Sequence, residues 1–130
     1  MAVEGQIRWG RILIGGLLIE LTMFAIVLPL NTISTQTVYY LVPFLAAATG
    51  FLFGYWAARP LDSRFVLHGA LVAVVASLIY VALNAAMGTT GSVPLLYHLS
   101  HGLRLLGGAA GGAFAGNRAM TGPATAPTDK

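Results

Sequence analysis

The segment LYHLSHGLRLLGGAAGG (Leu96–Gly112) decides how this chain is expected to fold. Its first half carries two histidines and an arginine, and its second half is mostly glycine and alanine. The spacing of Tyr97, His101, Arg104 and Gly108 places these residues on one face of a helix. Small residues on such a face let a second helix backbone approach closely. We therefore expect a packed helix, with polar contacts in one half and close backbone packing in the other.

The rest of the chain is strongly apolar. Of its 130 residues, 57% are hydrophobic and only 8% are charged, which is too little charge to cover a soluble domain. Four apolar runs are each close to the ~20 residues that cross a bilayer, and they are too long and continuous for barrel strands. These runs are Ile12–Leu30, Val38–Ala58, Phe65–Met87 and Val93–Asn117. The sequence therefore predicts an all-α fold, an integral membrane four-helix bundle whose first partner is the lipid bilayer.

Short polar segments separate the apolar runs and suggest the domain organisation. We predict one four-helix transmembrane domain over residues 1–118, with helices at about 9–30, 38–58, 65–87 and 93–117. The polar stretch NTISTQT (Asn31–Thr37) is the predicted first loop. Residues 119–130 are small, polar and proline-containing, so we predict a disordered cytoplasmic tail there.

The basic residues predict an orientation. Six of the seven lysines and arginines fall at one end of the predicted bundle: Arg8, Arg11, Arg59, Arg64, Arg118 and Lys130. The positive-inside rule makes this end cytoplasmic, so both termini are expected inside. The net charge of +3 is explained by this topology and does not indicate a nucleic-acid partner.

The two predicted hairpins align with each other. RILIGGLL (Arg11–Leu18) aligns with RFVLHGAL (Arg64–Leu71), and VYYLVPFLAAATGFLFG (Val38–Gly54) aligns with the Leu96–Gly112 segment. Because each hairpin would begin and end on the same side, such a duplication would be a parallel repeat. Apolar helices also match by chance, so both explanations stay open.

Glu20 and Arg104 are the charged residues inside the apolar runs. Glu20 lies twelve residues after Arg8, or about 18 Å along a helix. Arg104 lies fourteen residues before Arg118, or about 21 Å from the same end of the bundle. The two charges are therefore expected at nearly equal depth. One interpretation is a buried structural ion pair. The other is a Glu20 carboxylate that exchanges protons or cations, which a neighbouring arginine would oppose.

Glycines at four-residue spacing occur in the second and fourth runs, a pattern typical of close helix packing in membranes. The predicted packing positions, with Gly16 of the first run included, are Gly16, Gly50, Gly54, Gly107, Gly108, Gly111, Gly112 and Gly116. The pattern indicates tight packing but does not identify the helix that each glycine meets.

Three histidines and Asn84 are the remaining polar candidates. His68 follows Arg64 by four residues, whereas His101 is about 26 Å from the same end, so one monomer cannot gather all three histidines around one ligand. We expect interhelical hydrogen bonds, with Asn84 at the level of His98; a metal or haem site is the alternative. The sequence has no cysteine and no catalytic motif. We therefore predict no enzyme activity, no cofactor and no bound metal.

Three motifs carry a resemblance to a known family: GFLFGYWAAR (Gly50–Arg59), RFVLHGALVAVV (Arg64–Val75) and LLGGAAGGAFAGN (Leu105–Asn117). Through them the chain resembles a family of small four-helix bacterial membrane proteins of unknown function. The resemblance implies a multi-pass protein of the bacterial cytoplasmic (inner) membrane. IGGLLIE (Ile14–Glu20) is also similar to the first helix of small multidrug resistance transporters, although its glycine-to-glutamate spacing is one residue shorter.

Three functions are consistent with this sequence. The favoured one is a non-enzymatic membrane protein that forms a homo-oligomer or serves as an accessory or structural subunit of a larger membrane complex. The alternative is a small proton-coupled transporter or channel, with Glu20, Arg104, His101 and Asn84 along a polar path. The third is a lipid- or pigment-binding subunit that uses His68 or His98.

Overall fold

The described part of the chain folds into four α-helices. The structure, a computed structural model, describes residues 6–88 and 94–122, and within these residues it contains no strand. The helices are α1 (Trp9–Ile33), α2 (Thr35–Ala58), α3 (Phe65–Ala86) and α4 (Leu95–Thr121). The prediction of an all-α fold with four helices is confirmed.

The first predicted loop is wrong. Residues 31–37 are helical except for Ser34, whose extended backbone separates α1 from α2. The Ser34 hydroxyl oxygen accepts a hydrogen bond from the Thr37 backbone N–H at 3.2 Å. This cap satisfies a backbone donor at the start of α2, so a single residue replaces the expected loop.

The fourth helix also runs beyond its predicted end. Residues 119–121, expected in the disordered tail, continue α4, and the Thr121 hydroxyl donates to the Asn117 carbonyl oxygen at 2.9 Å. The rest of the predicted tail, residues 123–130, lies outside the described residues, as do residues 89–93 of the third connection.

Viewed along the bundle axis, the four helices lie at the corners of a rhombus. α4 packs against α2 and α3, and α1 packs against the same two helices from the other side. Within the described residues, α1 and α4 make no close backbone approach and so face each other diagonally. The apolar core includes Ile12, Ile19 and Val72, which are fully buried among α1, α2 and α3.

The helices paired in the apparent duplication lie beside each other. α2 and α4 are in extensive contact, and the rings of Tyr39 and Tyr97, which align between the two hairpins, have centroids 6.5 Å apart. The contact is compatible with a duplication and equally with chance, so the parallel repeat stays a prediction.

The contact of α4 with α2 and α3 is made backbone to backbone. A Cβ at Gly54 would lie 2.6 Å from the Gly108 carbonyl oxygen, and a Cβ at Gly50 would overlap the Arg104 carbonyl oxygen. Such spacing requires glycine, because any side chain would force the two helices apart. We call these positions the glycine seam; it comprises Gly50, Gly54, Gly69, Gly107, Gly108, Gly111 and Gly112.

All the glycines predicted to pack have close neighbours inside the chain. Gly16 lies against the Val75 side chain and the Ala76 backbone of α3, and Gly116 lies against the Phe65 ring. The other six belong to the glycine seam. These packing faces are therefore occupied by helices of the same chain, so they provide no surface for a second copy.

Three helices are long and apolar enough to cross a membrane. By length and composition these are α1, α2 and α3. α4 does not join them because its buried positions are taken by Ser100, Arg104 and several glycines, which lower its hydropathy. The large side chains that α4 exposes are nevertheless apolar, among them Leu99, Leu106 and Phe114.

The glycine seam predicts a position-dependent response to alanine. We expect Gly54→Ala to lower the free energy of unfolding by about 1–3 kcal/mol, because its methyl group would collide with the α4 backbone. Gly102→Ala is the matched control, since a Cβ there has no neighbour within 4 Å and alanine also favours the helix. Unfolding in mixed detergent micelles measures the free energy of unfolding of both variants. Equal stability of the two variants would contradict the seam.

Candidate functional site

Glu20 of α1 and Arg104 of α4 meet in the centre of the bundle. The structure brings together these two residues, whose depths match in the sequence: Arg104 Nη1 donates a hydrogen bond to Glu20 Oε1, forming an ion pair. Each residue is only 3% exposed. Because the backbones of α1 and α4 do not approach each other closely within the described residues, this pair links the two helices through their side chains across the long diagonal of the bundle.

The burial of this pair has a large energetic consequence. Removing a charge from water costs several kcal/mol, which a close partner of opposite charge offsets. Arg104 Nε is buried with no hydrogen-bond partner among the described residues, so the guanidinium group is only partly satisfied. The site therefore tolerates both charges only while they stay together, and an unpaired arginine is the worse case because guanidinium does not lose its proton.

A cavity of about 70 Å³ adjoins the ion pair. This space is large enough to hold water, since a cavity needs about 10–15 Å³ to admit one water molecule. Apolar side chains from α1 and α2 and polar side chains from α3 and α4 line it: Met23, Phe24, Val27 and Val42, and Tyr80, Tyr97, Ser100 and His101. The end of the bundle opposite the clustered arginines carries no charged residue in the sequence, and we call it the uncharged end. Toward it lie Val27, Val42 and Tyr97. The cavity therefore occupies the half of the core opposite the glycine seam.

His101 is a wall of this cavity and joins α4 to α3. Its Nδ1 lies 3.1 Å from the Ser77 hydroxyl oxygen, at hydrogen-bond distance. Its ring packs against Tyr80 with centroids 5.0 Å apart. His101 thus makes an interhelical contact of the kind expected from the sequence, with Ser77 of α3 as its partner.

Asn84 and His98 do not line the cavity. The Asn84 side-chain amide donates to the Tyr80 carbonyl oxygen of its own helix at 2.8 Å. His98 is exposed on the outer side of α4. The structure therefore does not place His98 on a polar path with Glu20, because the face of α4 that carries His98 turns away from the core.

His68 is a structural cross-link at the other end of the bundle. Its Nε2 accepts a hydrogen bond from the Arg8 backbone N–H at 3.1 Å, so its Nδ1, 2.9 Å from the Arg64 carbonyl oxygen, is the donor. The residue is 1% exposed. Both ring nitrogens are thus engaged, which leaves no lone pair for haem, pigment or metal. Within the described residues, no group of three or more histidine or carboxylate side chains could hold a metal ion.

Sequence reasoning did not single out three contributors to this region. Gly69 meets the Gly108 carbonyl oxygen in the glycine seam, but it has no partner glycine at four-residue spacing. Ser77 and Tyr80 were missed as partners of His101, although Ser77, Tyr80 and Asn84 follow the three- and four-residue spacing of one helix face. A polar stripe on an otherwise apolar helix is the sequence pattern that could have indicated these contacts.

The ion pair predicts non-additive substitutions. We expect Glu20→Gln or Arg104→Gln alone to lower the free energy of unfolding by about 3–5 kcal/mol, because each leaves a buried charge without its partner. Glu20→Gln is expected to be the more severe, since an isolated carboxyl group can take up a proton. The double variant should recover most of the loss.

Detergent unfolding of the four proteins measures this coupling, and Arg59→Gln, at an exposed position after α2, controls for replacing a charged side chain with an amide. Additive effects in the double variant would contradict a stabilising pair.

Comparison with known protein-family models, curated proteins and solved structures finds no match to this chain. The resemblance to small bacterial four-helix membrane proteins therefore stays a prediction. Any function has to be inferred from the arrangement of the residues themselves.

Proposed function

We propose that the chain is a non-enzymatic integral membrane protein whose four helices all cross the bilayer, and that it serves as an accessory subunit of a larger membrane assembly. The carrying observation is the distribution of charge on the bundle surface. Every described charged residue lies either in the buried Glu20–Arg104 pair or at the Arg8 end of the bundle, and the long sides between the two ends expose apolar residues.

The outer face of α4 supports its membrane placement. From Leu95 to Phe114 its exposed residues are apolar or glycine apart from His98, while Arg104 and Ser100 point inward. A helix that hides its polar residues in a bundle can lie in lipid although its overall hydropathy is low. α4 is therefore proposed as the fourth spanning helix.

The orientation follows from the same charges. The starts of α1 and α3 and the ends of α2 and α4 lie together, which gathers Arg8, Arg11, Arg59, Arg64 and Arg118 at one end. The positive-inside rule assigns this end to the cytoplasm. With the family resemblance, this supports a place in the bacterial cytoplasmic membrane.

An accessory role fits the use that the bundle makes of its polar groups. Glu20, Arg104 and His68 each bind another part of the same chain, and the glycine seam is closed within it. The bundle is thus complete as one chain. A partner would contact the apolar outer face, which includes Leu17, Leu78 and Leu106.

Cysteine labelling tests the membrane placement, because the natural chain contains no cysteine. We expect a membrane-impermeant maleimide to label Gln36→Cys and Met87→Cys in intact cells, since both lie at the uncharged end. Ser63→Cys and Gly122→Cys, at the arginine end, should react only after permeabilisation. Reaction of Gly122→Cys in intact cells would contradict a spanning α4.

Size analysis in mild detergent tests the accessory role. We expect the protein to migrate in a complex larger than its own 13.6 kDa chain and to bring a second polypeptide with it, because its apolar face would be covered in the assembly. An isolated monomer with no second polypeptide would contradict the proposal.

The cavity beside Glu20 favours one second candidate, a proton-coupled transporter or channel. It would require a water path from the cavity to the arginine end, where the glycine seam leaves no space between backbones. Proton flux in proteoliposomes that is lost in folded Glu20→Gln would favour this candidate over the accessory role.

A further inference from the structure

A second cavity lies at the arginine end of the bundle, away from the ion pair. It measures about 240 Å³ and opens between the last turns of α2 and α4. Its walls are formed by Tyr55, Arg59, Ala115, Arg118 and Ala119. None of these described wall residues is acidic, so two positive charges and a phenol share one small space.

The guanidinium groups of the two arginines in this cavity have no polar partner among the described residues. Both are exposed, and within the described residues neither guanidinium group forms an ion pair or hydrogen bond. Arg118 lies over the Phe114 ring, 5.3 Å from its centroid, which keeps it beside the cavity. Arg11 differs, because its guanidinium donates to the Trp56 and Ala57 carbonyl oxygens at the end of α2.

Apolar surface continues from this cavity along the side of the bundle. The Phe114 ring packs with Tyr55 and Phe51, at centroid distances of 5.7 and 5.9 Å, and remains partly exposed together with Leu52. Two guanidinium groups beside an exposed apolar surface match a molecule with an anionic head and hydrocarbon chains. Guanidinium groups and a phenol supply the donors that phosphate oxygens accept.

We propose that this cavity binds the phosphate headgroup of an anionic phospholipid, with Arg59 and Arg118 on the phosphate and the acyl chains along Phe114. Basic pockets between helices on the cytoplasmic side are suited to such headgroups. The proposal rests on the membrane placement proposed above. Cysteine labelling tests that placement separately, so the two can fail independently.

Native mass spectrometry of the full chain in detergent, titrated with dioleoylphosphatidylglycerol, tests the site. We expect one tightly bound lipid, with affinity about fivefold lower in Arg59→Gln or Arg118→Gln and roughly 25-fold lower in the double variant. Arg64→Gln is the matched control, because it removes one charge from the same end but outside this cavity. Circular dichroism checks that each variant stays helical.

Three results would overturn the proposal. Equal binding of dioleoylphosphatidylcholine would show that the negative charge is not recognised. An equal loss of affinity in Arg64→Gln would assign the effect to diffuse charge at this end. Competition by inorganic phosphate at the concentration of the lipid would make the ligand a free anion and exclude a lipid site.

Discussion

At Gly50, Gly69 and Gly108, the backbones of α2, α3 and α4 meet with no side chain between them. This approach fixes the rotation of α4, and Arg104 lies one turn from Gly108 on the same face. The arginine is therefore directed into the bundle, toward α1. Glu20 neutralises it there. The glycine seam thus determines where the charge lies, and the ion pair ties α4 to α1, which contributes no residue to the seam.

The seam and the cavity divide the core into two unlike halves. Toward the arginine end, backbones fill the space between helices, and His68 ties the start of α1 to the start of α3. Toward the uncharged end, larger side chains such as Tyr80 and Tyr97 hold the helices apart and leave the 70 Å³ cavity. Access to the ion pair is therefore expected from the uncharged end, because a path from the other end would require separating packed backbones. This asymmetry favours a structural role for Glu20 over transport.

The arginines show how environment assigns different roles to one residue type. Arg104 is buried and needs Glu20. Arg11 binds carbonyl oxygens at the end of α2, where the helix dipole favours a cation, and stacks on Trp56 at 4.3 Å. Arg59 and Arg118 are left to meet a ligand or the membrane surface. Arg11, Arg59 and Arg118 all support the same orientation by count, yet only the contacts separate their roles.

The sequence by itself determined the number and type of the helices and the matching depths of Glu20 and Arg104. These properties follow from run length, periodicity and the rise of a helix, which are local. The first loop was predicted wrongly because a polar composition suggested a coil where Ser34 caps a helix.

Only the tertiary structure decided which face of each helix packs against another helix and which face is exposed. It places Gly69 against Gly108, and it places Ser77 at hydrogen-bond distance from His101. It leaves His98 exposed, and it packs the predicted glycines against other helices of the same chain. The physical reason is that these contacts join residues far apart in the chain. Their identity depends on how the helices rotate and pack together, and no periodicity within a single helix encodes that choice.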